Sequence, residues 1–181
     1  VFKPNLRILS FDIETNYLKN TLLSIAVYSN DVQQVFMLGS SKEVNCWCYE
    51  SEKALLSSFM QWLQDYDPDL LIGWNCINFD LRFLHNACLR LGLRFNIGRN
   101  NEALEWRTSS KVTNGNSTKT ANDHFFVLIP GRAVLDGIDT LKSATFNFES
   151  FALDFVAFAL LARGKLISNS SSKADEILRL Y

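Results

Sequence analysis

Three strand-like segments follow one another before any helical period appears. Leu6–Glu14, Thr21–Tyr28 and Val32–Leu38 are apolar and β-compatible, and Ser29-Asn30-Asp31 makes a turn between the last two. Consecutive strands with short connections pair as an antiparallel meander, and 45–49 has the makings of a further short strand. Strand and helix then alternate. Ser51 stands as an N-cap before Leu55, Leu56, Phe59, Met60 and Leu63, which recur at helical spacing up to the stop at Pro68. Asp69–Trp74 is a short apolar run typical of a parallel strand covered on both faces. From Asp80 to Leu91 a stripe of Leu81, Leu84, Cys88 and Leu91 predicts a helix closed by Gly92. The expected fold class is therefore α/β: a mixed sheet, three-strand meander plus parallel strands, flanked by helices.

The second half is less regular. Arg107–Val112 and His124–Ile129 read as arms of an inserted β-hairpin spanning 107–129, with a polar tip at Thr113–Asp123. Arg132–Leu135 is a strand ending at Asp136, and a long apolar helix is expected from Glu149 to Ala162. Its aromatic neighbourhood, Phe146, Phe148, Phe151, Phe155 and Phe158, has the spacing of core packing. No Pro/Gly-rich linker divides the 181 residues, so a single domain is expected. The sequence lacks an initiating Met and ends inside the helical pattern Ala174–Tyr181, which reads as a fragment.

Charge and cysteine content narrow the function classes. A formal net charge of −1 supplies no global positive field for nucleic acid, so any such site must bring its own cation or borrow one. Cys46, Cys48, Cys76 and Cys88 match no zinc spacing, and His85 and His124 have no ligand partner at motif spacing. They are expected to be reduced thiols in a cytoplasmic protein, monomeric and without a membrane segment.

The carboxylates carry the chemistry. Side chains alternate along a strand, so Ile8, Ser10, Asp12 and Glu14 line one face while Leu9, Phe11 and Ile13 line the other. Two rises separate the acid-bearing Cα atoms by roughly 7 Å, close enough to share one hard cation or a pair of them. Asp80 opens a helix just after a buried strand. Ligands of open α/β sheets gather beyond the carboxyl ends of such strands. Asp12, Glu14 and Asp80, without His or Cys, suit Mg²⁺ or Mn²⁺ and hence phosphoryl chemistry. Each acid also has a plainer reading, as a frayed strand end or a helix-capping charge.

Leu9-Ser10-Phe11-Asp12-Ile13-Glu14-Thr15 resembles the first exonuclease motif of family-B DNA polymerases, and Gly73-Trp74-Asn75 with Phe79-Asp80-Leu81-Arg82 resembles the second. The likeness continues through Leu104–Arg107, Gly131-Arg132, Leu135-Asp136-Gly137 and Asn147–Leu153, in the family's order and nearest its bacterial polymerase II branch. The resemblance implies a ribonuclease-H-like fold and proofreading of a single-stranded 3′ end of DNA, alongside the remaining polymerase domains. It also implies two divalent ions at the scissile phosphate. Asp12 would touch both ions, Glu14 the nucleophile-side ion, and Asp80 the leaving-group side. Thr15 and Asn75 would hold the terminal nucleotide, and Phe79 would lie near its base unless buried.

The family's third motif, a Tyr ahead of a fourth metal-binding Asp, is not found. Tyr181 is the last residue, and Tyr28-Ser29-Asn30-Asp31 lies in a turn. The expectation is a domain truncated before that motif and nearly inactive alone. Two rivals stay open: a free-standing nuclease of the same acidic type, and a non-catalytic domain that scaffolds a polymerase or binds single strands. Asp136 is expected as a turn or N-cap acid, and Arg82 as an exposed ion-pair partner.

Overall fold

A computed structural model describes residues 3–108 and 124–163. Six strands form one sheet in the order β4-β3-β2-β1-β5-β8: β1 (Ile8–Asn16), β2 (Thr21–Tyr28), β3 (Gln33–Leu38), β4 (Cys46–Tyr49), β5 (Leu70–Gly73) and β8 (Ala133–Asp136). The first three make the expected antiparallel meander. β4 joins β3 in parallel, and β5 and β8 extend the other edge in parallel with β1. This is the mixed sheet of a ribonuclease-H-like domain. β6 (Glu105–Thr108) and β7 (Phe125–Leu128) pair separately as an antiparallel ribbon; the expected hairpin tip lies outside the described residues.

One face of the sheet holds the core. Leu9, Phe11 and Ile13 of β1 pack with Ile25, Val27, Phe36 and Leu71 beneath two helices. These are α1 (Glu52–Tyr66), which contributes Leu55, Leu56, Phe59 and Leu63, and α2 (Arg82–Arg90), which contributes Leu84, Ala87 and Cys88. Each fully buried aliphatic side chain contributes about 1.5–3 kcal/mol, so this layer dominates the fold's stability. Ser51 caps α1 through its hydroxyl, which accepts from the Ala54 amide at 3.2 Å. At the other end Asp67 turns left-handed (φ 50°) just before Pro68, whose ring disfavours helix in the residue before it. Gly92 (φ +67°) ends α2: its amide donates to Leu89 and that of Leu93 to Cys88, so the last carbonyls are satisfied.

Two buried or half-buried ion pairs tie the layers. Glu52 receives both terminal nitrogens of Arg90 and also the Leu22 amide at 2.9 Å, joining α1, α2 and β2. Arg132, just before β8, spreads its guanidinium over the C-terminal end of α1 and the Asp67 carboxylate.

Several expectations need correction. Asp80 does not open an α-helix: Ile77–Leu81 is a single π-helical turn, and α2 starts at Arg82. Among the described residues β5 is not covered on both faces. Leu71 is buried, but Leu70 and Ile72 are half-buried, and their neighbours Ile8 and Leu135 are exposed among the described residues. The long helix is shorter than expected, α4 (Leu153–Leu161), and is preceded by an unanticipated α3 (Gly137–Ser143). Phe146, Phe155 and Phe158 are not core either, the last being 70% exposed. Their spacing gave an apolar face, and helical spacing says nothing about what covers such a face.

Candidate active site

The acids of β1 lie where alternation puts them. Leu9, Phe11 and Ile13 face the core, so Asp12 and Glu14 share the opposite face, Asp12 exposed and Glu14 half-buried. Opposite Glu14 and Thr15 the β1–β2 register slips, because Glu14 pairs with Ser24 and Thr15 with Leu22. The extra residue is Leu23, and the bulge explains why four consecutive residues, Leu22–Ile25, are buried.

β5 pairs with β1 only at Ile8, Leu9 and Ser10. Beyond Ser10, β1 runs on past the end of β5, and the Ile13 amide needs another acceptor. It finds Asp80, whose Oδ1 accepts at 3.1 Å. A residue 67 positions away thus seats its carboxylate on β1 at the amide between Asp12 and Glu14.

The route from β5 to Asp80 is built around Asp136. Gly73 ends β5 with no room for a side chain, since a Cβ there would meet the Cys76 Cβ at 2.7 Å and the Phe11 carbonyl at 3.0 Å. Asn75 then turns left-handed (φ 58°), a conformation that Asn tolerates better than most residues. Asp136 is the register partner of Gly73 and is only 2% exposed. Its carboxylate accepts from the amides of Asn75 (3.2 Å), Ile77 (3.1 Å) and Ile138 (3.0 Å). It therefore caps α3, as expected of it, and also clamps the turn that delivers Asp80. That second role has no local sequence signal. Asp136→Ala leaves three amides without their acceptor and is expected to cost about 2–4 kcal/mol, read as a drop in the chemical-denaturation midpoint at unchanged m-value.

Electrostatics at the site are those of crowded carboxylates. Asp80 is 2% exposed. Burial, then the charges of Asp12 and Asp136, push its pKa up to about 7, against the lowering effect of its own and the Ile13 amide. The folded state therefore holds a proton that the unfolded chain releases near pH 4. The resulting stability is fully present below about pH 4 and is lost as pH rises through about 7. Asp80→Asn keeps an oxygen for the Ile13 amide and removes the charge. It is expected to raise the melting temperature at pH 8 and leave it nearly unchanged at about pH 4, where both states hold the proton; an equal shift at both would contradict the assignment.

A divalent cation would relieve the same crowding, and all-carboxylate donors suit a hard ion. Among the described residues no three His, Cys, Asp or Glu side chains stand grouped as a ready-made metal cage. The structure joins Asp12 with Asp80 and places Glu14 on the shared face.

The remaining candidates are placed as follows. Thr15 is half-buried in β1 just past the bulge, and Asn75 is half-buried in the turn. Phe79 is not buried: its ring is 47% exposed and tilted against Phe83 at 6.4 Å. Among the described residues Arg82 makes no ion pair of the expected kind; its guanidinium lies 3.7 Å from the centre of the Phe125 ring. With the Asn78 side chain, which accepts the Phe125 amide, it fastens the β6–β7 ribbon beside the site. His124 has a partner the sequence did not reveal, Asp139 at 3.2 Å.

Residues 1–156 match the family described as DNA polymerase family B, exonuclease domain. The chain belongs to that family. Among its relatives, DNA polymerase II of Escherichia coli (strain K12) is 38% identical over 99% of this chain. A DNA polymerase of Thermococcus litoralis is 28% identical over 97%, and the DNA polymerase delta catalytic subunit of Schizosaccharomyces pombe is 29% identical over 88%. The chain spans 22%, 10% and 16% of these relatives' own lengths. Among the described residues no helix is long and apolar enough to cross a membrane.

Proposed function

We propose that this chain is a 3′→5′ proofreading exonuclease domain of a polymerase II-like enzyme, hydrolysing the terminal phosphodiester of a single-stranded or mispaired DNA 3′ end. The observation that carries the reading is the seating of Asp80 on the β1 amide between Asp12 and Glu14. Asp80 faces the charge of Asp12 beyond the end of β5, with Glu14 on the same face of β1, and this supports the reading in a family described by its exonuclease domain.

Asp12, Glu14 and Asp80 would hold Mg²⁺ or Mn²⁺, two ions in the complete site. Ions held there would supply activation of a water and charge stabilisation of the departing 3′ oxygen. The chain's own contribution is to fix the carboxylates. The Ile13 amide orients Asp80, and Asp136 holds the Asn75–Ile77 turn rigid. Phe79, exposed beside a buried acid, offers a face for the terminal base, and Thr15 and Asn75 offer polar groups for its sugar and phosphate. The family's third motif does not occur within these 181 residues, so we infer that they form one exonuclease domain lacking its fourth acid. That domain is weakly active alone and acts in nature beside polymerase domains.

Incubating the chain and Mg²⁺ with 5′-labelled single-stranded DNA tests this. Slow stepwise shortening from the 3′ end, absent in Asp12→Ala, is expected. Internal cuts, or activity that survives Asp12→Ala, would overturn the reading. A rival, the non-catalytic scaffold, predicts DNA binding with no shortening at any metal concentration.

A further inference from the structure

At the sheet edge away from the acids, three sulfurs stand together. β4 is the outermost strand, and its sequence Cys46-Trp47-Cys48-Tyr49 alternates between faces. Tyr49, half-buried, and Trp47, still 44% exposed, pack on the buried Phe36 ring, at 6.4 and 5.4 Å between centroids. The register is pinned by Asn45, whose carbonyl accepts the Val35 amide and the Gln34 side chain. With the aromatics anchored inward, Cys46 and Cys48 are held on the other face. There Met37, the register partner of Cys48 on β3, joins them. The Cys46 Sγ lies 4.0 Å from the Cys48 Sγ and 3.9 Å from the Met37 Sδ.

These distances discriminate between uses. A disulfide needs sulfurs about 2.05 Å apart and Cα atoms no more than about 6.8 Å apart, the upper limit of what residues two apart on an extended strand offer. A trigonal site with metal–sulfur bonds of about 2.3 Å separates its sulfurs by about 4.0 Å. Two thiols and a thioether select a soft ion, and the site is reachable because Cys48 is exposed and Cys46 half-buried.

We propose that Cys46, Cys48 and Met37 form a three-sulfur site for a thiophilic monovalent cation of the Cu(I) class. On binding, each thiol that ligates gives its proton to solvent, two sulfur–metal bonds form to the thiolates and the Met37 thioether supplies the third. No electron is transferred, because the ion enters as Cu(I). The bound ion ties edge strand β4 to β3. Cys76 and Cys88 do not compete, since both are buried in the core.

The test is anaerobic titration of the 181-residue chain with Cu(I) against a chromogenic Cu(I) chelator, with melting temperatures measured in parallel. One ion per chain and a raised melting temperature are expected. Cys46→Ser and Cys48→Ser should each weaken binding by more than about a hundredfold, beyond the usual cost of an outer-shell change, and Met37→Leu by about tenfold. The double variant C46S/C48S, which keeps Cys76 and Cys88, should fold normally in the absence of metal and show no copper-dependent stabilisation. Wild-type uptake by that double variant would overturn the proposal. So would one ion shared by two chains, or fewer than four free thiols in the chain purified anaerobically without reductant before metal is added.

Discussion

On the proposed function, replacing Asp12 or Asp80 by Asn is expected to lower the chain's 3′ exonuclease turnover by at least about 10²–10³-fold, the scale of losing one electrostatic contact to the transition state. Both variants keep the shape of the side chain, and in Asp80→Asn the carboxamide oxygen can still accept from the Ile13 amide. The loss should fall on kcat, with KM for single-stranded DNA changed little, because in the proposed site the acids would hold ions while Phe79 and Asn75 would hold substrate. The two variants should differ in stability. Asp80→Asn removes a buried charge pressed against Asp12 and Asp136, whereas Asp12 is exposed. An Asp80→Asn protein that is both inactive and less stable at pH 8 would show that Asp80 serves the fold and would remove it from the metal site. Quench-flow rates and thermal melts on the same preparations separate the two.

Arg132→Met is expected to destabilise the domain by about 2–4 kcal/mol, the cost of leaving two buried carbonyls without a donor. The Arg132 side chain is fully enclosed. Its Nη1 donates to Asp67 at 2.8 Å and to the Pro68 carbonyl at 2.6 Å, and its Nε donates to the Ile97 carbonyl at 2.9 Å. Methionine fills much of the volume but leaves the two buried carbonyls without a donor. Asp67 fares better, since Arg99 Nε also reaches it at 2.8 Å. In a domain of this size the change corresponds to a melting temperature lower by on the order of 10 °C. Arg132→Lys should recover part of it, having one charge but not the planar fork. A loss under about 1 kcal/mol would mean that the guanidinium does not bridge α1 to β8 as described.

How much of this was legible in the sequence varies with the range of the forces involved. β2 was read at its true bounds because its turns and apolar content are local. Alternation placed Asp12 and Glu14 on one face for the same reason, and Ser51 announced α1 by its own hydroxyl. The π-helical turn at Ile77–Leu81 was not legible. It depends on the Asp136 carboxylate, 59 residues beyond Ile77. Nor was the His124–Asp139 pair, which joins the β6–β7 ribbon to α3 only after both have folded. Arg82 was read as a charge seeking a carboxylate, yet an aromatic ring from the ribbon reached it first. The bulge at Leu23 left a sequence trace, two adjacent leucines, Leu22 and Leu23, where alternation would have set only one inward.

Asp12, Glu14 and Asp80 are proposed to form a hard-metal site. Mn²⁺ diffused into crystals of the chain at pH 8 tests it most directly, since the ion is located by its anomalous scattering. The account predicts a peak about 2.0–2.2 Å from carboxylate oxygens of Asp12 and Glu14, with Asp80 turned toward it, and its loss in Asp12→Asn. No peak at those carboxylates at millimolar Mn²⁺, with the three side chains ordered, would contradict it.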